Sequence, residues 1–224
     1  MHGIDHLEKW DGAFYAEKLK QKLFDLDDEK LKPYFKLENV INGVFKVSQK
    51  LYGLQFEEIH NIDKYHEDVL TYKVSNEDGD LVSIFYADFF PRPGKRNGAW
   101  MTSYKPQSIK NGLNDRPHIS IVCNFTKPTE TKPSLLTFNE VTTLFHEFGH
   151  ALHGMLATGT YASLSGTSVF WDFVELPSQL MENWCYEKDC LDLFAKHYET
   201  GEAIPKEYIQ KIKDSANFMA GLGT

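Results

Sequence analysis

Thr143-Leu144-Phe145-His146-Glu147-Phe148-Gly149-His150-Ala151-Leu152-His153 is the stretch on which the reading of this chain turns. It contains His-Glu-x-x-His. Residues four apart on a helix lie one turn apart on the same face, so His146 and His150 can aim imidazole nitrogens at one metal ion. Glu147 follows the first histidine and is placed to act on a metal-activated water rather than to ligate. The surroundings read as helix. Thr137-Phe138-Asn139-Glu140 has the form of a capping box. Val141, Leu144, Phe145, Phe148, Ala151, Leu152, Met155 and Leu156 form an apolar stripe at helical spacing, with the two histidines beside it. Gly159 is the expected stop.

A catalytic zinc site takes three protein ligands and keeps one position open. Glu175, in Trp171-Asp172-Phe173-Val174-Glu175-Leu176-Pro177-Ser178-Gln179, is the leading candidate for the third, on a neighbouring helix. On spacing alone Asp172 and Glu182 are rivals. Ser178 and Gln179, about a turn beyond Glu175, could orient a ligand histidine. His153 falls near the same face as His146 and reads more readily as a satisfied polar group. His2, His6, His60, His66, His118 and His197 have no motif around them. Zinc would polarise a scissile carbonyl and acidify a water, and Glu147 would carry its proton to the leaving amine. No nucleophile motif and no phosphate-binding glycine loop competes with this chemistry.

Outward from that helix, the 224 residues suffice for one domain with a sizeable core. Trp10 to Phe24 reads as a helix with Phe14, Leu19 and Leu23 near helical spacing. Lys32-Pro33 is the expected break before a second helix, Leu37 to Tyr52. Val69–Val74 and Leu81–Tyr86 are β-rich and flank Asn76-Glu77-Asp78-Gly79-Asp80, a hairpin signal. Ala99–Tyr104 and Ile119–Phe125 are further strands, with Asn111-Gly112 and Pro117 punctuating the link. Pro205 opens a last helix, whose apolar end at Phe218 to Leu222 has no evident partner and suggests a truncated chain. The expected class is α+β, mostly helical with a small sheet: residues 1–60 helical, 61–130 the sheet, 131–224 helical with the metal site.

Composition narrows the function classes. With 32 acidic against 24 basic side chains, a formal −8, and only the short Lys95-Arg96 basic pair, the chain lacks the basic stripe of a nucleic-acid binder. No apolar run is long enough to span a bilayer, and the first residues lack a signal-peptide core. Cys123, Cys185 and Cys190 form no Cys-x-x-Cys pair and read as reduced thiols of a cytoplasmic protein.

The motif segment, with Leu164-Ser165-Gly166-Thr167, Asp172 to Gln179, and Glu182-Asn183-Trp184, resembles the thimet-oligopeptidase family of zinc metallopeptidases, in particular its bacterial peptidyl-dipeptidase and oligopeptidase A branch. Tyr15 to Leu19, Leu31 to Phe35, Gly98 to Met101, Val122 to Pro128 and Phe194 to Gly201 extend the likeness over nearly the whole chain. The resemblance implies a zincin-like core, one zinc ion held by His146, His150 and Glu175, and Glu147 as general base. It also implies short peptides as substrates and an edge strand at about Gly98 to Met101 that pairs with substrate backbone. Members of that family are longer at both ends, and the region beyond this C-terminus carries a His and Tyr cluster that holds the substrate. A zinc- or peptide-binding fragment without activity is therefore the alternative to an active enzyme.

Overall fold

The computed structural model describes residues 6–222. Met1 to Asp5, with His2, and the terminal Gly223-Thr224 lie outside them. Helices α1 (Asp11–Phe24), α2 (Asp28–Leu31) and α3 (Leu37–Tyr52) lead into strands β1 (Gln55–Glu58), β2 (Leu70–Ser75), β3 (Leu81–Asp88), β4 (Trp100–Lys105), β5 (Ser108–Lys110), β6 (Leu113–Asp115) and β7 (His118–Val122). Helices α4 (Phe138–Met155), α5 (Trp171–Val174), α6 (Leu176–Asn183), α7 (Lys188–Phe194) and α8 (Lys206–Ser215) complete the chain. The arrangement is α+β, as its residues foretell.

Five strands form one sheet in the order β1-β2-β3-β7-β4, and β5-β6 form a separate ribbon. The β2–β3 hairpin turns on Asn76 to Asp80, where Gly79 takes a positive φ of 86° and the Asp80 N–H donates to the Asn76 side chain at 2.7 Å. β3 and β7 run parallel, with Phe85 opposite Ile119, and β4 returns antiparallel on the far side of β7. β4 is thus an edge strand of this sheet. Asn111 and Gly112, both at positive φ, form the two-residue turn of β5-β6, a hairpin where the sequence suggested only a link.

The core lies between this sheet and helices α3, α4 and α7. Phe85, Ile119 and Ile121 from the strands meet Val44, Phe145, Phe148 and Phe194, all buried. Burying one such side chain contributes about 1.5–3 kcal/mol. The capping box is present: Thr137 Oγ1 accepts from the Glu140 N–H, and Glu140 accepts from the Thr137 N–H at 2.8 Å. α4 ends at Met155, earlier than Gly159 suggested. The Arg116 guanidinium donates to the Met155 and Ala157 carbonyls at 2.7 and 3.0 Å, satisfying orphan acceptors and placing a cation at the negative end of the helix.

α1 ends at Phe24, as expected, where Asp25 adopts a left-handed conformation (φ 49°), but a separate short α2, capped by Asp27, intervenes before Lys32-Pro33. None of the residues of α1 is buried, and Phe14, Leu19 and Leu23 are exposed. Amphipathic spacing indicated the helix but not a partner for its apolar face. At the other end Phe218 does find one, meeting the edge of Phe24 at 5.7 Å between centroids.

Asp88, at the end of β3, anchors the loop that leads to β4. Arg92 grips it with two bonds of 2.8 Å, Lys95 donates at 2.8 Å and the Tyr65 hydroxyl at 2.9 Å, with the carboxylate almost fully buried. Burial pushes its carboxyl up, but the Arg92, Lys95 and Tyr65 hydrogen bonds outweigh that and hold it below the ordinary value. Its contribution to stability is therefore complete above the unfolded carboxylate pKa and is lost as pH falls through the lower folded one. Asp88→Asn leaves the buried Lys95 ammonium and the partly buried Arg92 without their counter-charge and is expected to cost about 3–5 kcal/mol. In urea unfolding at neutral pH the gap from wild type should be of that size, and it should narrow below about pH 4.

Candidate metal centre

α4 supplies two of the three groups. His146 and His150 lie one turn apart with rings 4.9 Å between centroids, both half-buried beside the apolar face. The third group comes from the junction of α5 and α6, where Glu175 ends one helix and opens the next, followed by Pro177 in the first turn. His146 Nε2 and His150 Nε2 approach the same oxygen, Glu175 Oε2, at 3.3 and 3.2 Å. One ligand atom from each residue lies within 4.8 Å of the others, a group that could hold a metal ion.

The fit to zinc can be judged from those separations. A tetrahedral ion with bonds of about 2.0–2.2 Å sets its ligand atoms about 3.3 Å apart, which is the spacing of the two histidine nitrogens from Glu175. The donor set, two imidazoles and a carboxylate, is one that zinc accepts. Charge agrees as well: Glu147 and Glu175 would both face the cation.

Sequence reasoning left Glu182 as a rival ligand, and its position differs from that. Its Oε1 lies 2.6 Å from His146 Nδ1. A carboxylate only accepts, so Nδ1 carries the hydrogen there, which leaves Nε2 as the nitrogen that can offer a lone pair to a metal ion. Ser178 likewise serves the carboxylate rather than a histidine, donating to Glu175 Oε2 at 2.8 Å and the Glu175 carbonyl at 2.9 Å. Gln179 is exposed and bonds to neither histidine, and Asp172 is exposed outside the group. Removing the partner of a ligand histidine weakens metal binding about 10–100-fold. Glu182→Ala should show a loss of that order in competition with a chelator, and Glu182→Gln, which can still accept from Nδ1, a smaller one.

The Glu182 hydrogen bond raises the pKa of His146, whereas burial lowers that of His150. Glu147 is buried at 6% exposure, with Oε2 lacking a hydrogen-bond partner. Burial pushes its carboxyl up to about 7, against the pull of His146. His153 turns away into the neighbouring hollow formed with Leu164 and Gly166. Its Nδ1 has no hydrogen-bond partner, against the expectation of a satisfied polar group.

These groups open onto a cleft of 540 Å³, walled on one side by Ala99, Trp100 and Met101 of the β4 edge and on the other by Val169, Trp171 and Val174. Among the described residues no helix is long and apolar enough to cross a membrane.

The chain is 45% identical over 222 residues to oligopeptidase A of Escherichia coli K12, covering 98% of this chain and 33% of that protein. It is 44% identical over 215 residues to dipeptidyl carboxypeptidase of the same organism, covering 96% of this chain and 31% of that protein. A probable cytosolic oligopeptidase A of Arabidopsis thaliana is 41% identical over 224 residues, with 97% of this chain and 32% of that protein covered. The chain thus spans about a third of the length of these curated relatives. The model of peptidase family M3 matches residues 1–224, and the chain belongs to that family.

Proposed function

We propose that this chain is the metal-holding catalytic segment of a zinc peptidase that hydrolyses short peptides. The observation that carries the reading is the convergence of His146, His150 and Glu175 within 4.8 Å, beside the buried Glu147, in a cleft bounded by a free strand edge. His146, His150 and Glu175 would hold one zinc ion. Bound there, zinc would supply Lewis acidity, polarising the scissile carbonyl and acidifying water at neutral pH.

The protein's own groups do the rest. Glu147 accepts a proton from the attacking water and delivers it to the departing amine. A general base is most useful with a pKa near the working pH, and burial moves Glu147 toward that range. A cation alongside favours its ionised form, the one needed to receive the proton. Glu182 fixes the tautomer of His146, and Ser178 fixes the carboxylate of Glu175. β4 offers unpaired backbone groups along Trp100 and Met101, on which an extended peptide can add as a further strand. Names of relatives agree with peptide substrates: one is an oligopeptidase, another a dipeptidyl carboxypeptidase. Three buried free thiols suit a reducing compartment such as the cytoplasm.

Hydrolysis of a quenched short peptide by the zinc-loaded chain tests the reading, with Glu147→Gln as the control. Metal-dependent cleavage lost in that variant supports it. Equal, slow turnover in both would leave a zinc- and peptide-binding segment whose chemistry depends on parts of a longer protein.

A further inference from the structure

Every charged side chain that lines the cleft and its extension along α4 is acidic: Glu147, Glu175 and Glu182. Neither lining contains a lysine or arginine. Beside this acidic hollow, the loop entering β4 holds a cation with no acidic partner. Arg96 is exposed, and among the described residues no carboxylate pairs with it. Its guanidinium lies instead over the ring of Trp100, 4.5 Å from the centroid, and Trp100 is part of the cleft wall. The neighbouring Lys95 is committed elsewhere, buried on Asp88.

The loop that carries Arg96 is held in place. Asn124, just past β7, donates from its side-chain amide to the Arg96 carbonyl at 3.0 Å and to the Gly98 carbonyl at 2.7 Å. Gly98 turns the chain into β4 at a φ of 94°, a conformation that glycine adopts freely. The guanidinium is therefore preorganised: stacked on an indole, with its donors unclaimed among the described residues and its backbone pinned. A planar fork of this kind matches a carboxylate, and ordering cost at binding is reduced.

We propose that Arg96, seated on Trp100, receives a carboxylate of the bound peptide beside the cleft. This rests on the reading of the cleft as a peptide site. Arg96 supplies positive charge in the loop that leads into the strand along which the peptide would lie, beside a cleft whose other charged side chains are acidic. The carboxylate can be the C-terminus of the peptide or an acidic side chain, since the fork recognises either.

The test is calorimetric binding to the zinc-loaded chain carrying Glu147→Gln, which prevents turnover. Three versions of one acetylated, otherwise neutral pentapeptide serve as probes: free C-terminus, C-terminal amide, and the amide with one glutamine replaced by glutamate. A charge-assisted hydrogen bond corresponds to about tenfold or more in affinity. At least one carboxylate peptide should bind more tightly than the neutral amide by about that factor. Adding Arg96→Gln should erase the advantage and leave the neutral peptide's affinity unchanged, while Arg96→Lys keeps part of it. Which of the two charged peptides carries the advantage identifies the source of the carboxylate. Because a zinc ion also attracts carboxylates, the decisive quantity is the change in that ratio on removing Arg96. A ratio that survives Arg96→Gln overturns the proposal and leaves the peptide cleft standing. Failure of all three peptides to bind overturns both.

Discussion

Glu147→Gln is expected to leave metal content at the wild-type level and to lower peptide hydrolysis by about a hundredfold or more, the usual contribution of a general base. Glutamine keeps the shape of the side chain but cannot take a proton. Its effect on stability should be small and favourable, because burial already opposes ionisation of Glu147 and Oε2 has no partner to lose. Metal analysis, peptide turnover and urea unfolding on the same preparation separate the three consequences. A variant that loses metal together with activity would make Glu147 a ligand rather than a base.

The second large effect concerns Gly149, between Glu147 and His150. Helix propensity alone argues that Gly149→Ala stabilises α4 by about 1 kcal/mol. Packing argues the reverse. A Cβ at this position would lie 2.5 Å from the Pro177 carbonyl oxygen and 2.6 Å from the Ser178 Cα, both backbone atoms of α6. Backbone cannot rotate aside as a side-chain tip can, so α6 must move away from α4. Overpacking of this kind costs about 1–3 kcal/mol, enough to exceed the propensity gain. Glu175 precedes Pro177 by two residues, so the same displacement carries the carboxylate from the two histidines. Gly149→Ala should therefore weaken zinc binding by an order of magnitude or more while the chain remains folded. Chelator competition with circular dichroism checks both halves. Unchanged affinity would mean that α6 can yield without moving Glu175.

Gly149 also marks the boundary of what the sequence could reveal. The 3.6-residue period, the capping box and the pair of histidines are local, and α4 follows them closely, including the burial of Val141, Leu144, Phe148 and Met155. The need for glycine at 149 arises from a helix that returns nearly thirty positions later, and no local pattern contains it. The same holds for Glu182. Spacing made it an alternative to Glu175, and only the meeting of α4 with α6 puts it on Nδ1 of His146.

The sheet divides along the same line. Alternation and turn residues located β2, β3, β4 and β7 to within a few residues. The parallel pairing of β3 with β7 and the edge position of β4 are long-range facts, carried for the edge only by family likeness. β1 escaped because its four residues, Gln55 to Glu58, offer a single apolar side chain, Phe56, which is drawn in by stacking on Phe45 at 4.1 Å. In α1, periodicity found the helix while its exposed apolar face shows that an amphipathic pattern does not by itself locate a partner.

Zinc content tests the central claim most directly. The chain and its His150→Ala variant would each be equilibrated with zinc, dialysed free of excess and assayed by elemental analysis, with folding verified by circular dichroism. The predicted result is about one zinc per wild-type chain, as a three-ligand site requires, and a near-complete loss in the variant. A folded wild-type chain that retains no zinc, or a variant that retains it undiminished, would contradict the assignment of His146, His150 and Glu175 as one metal site.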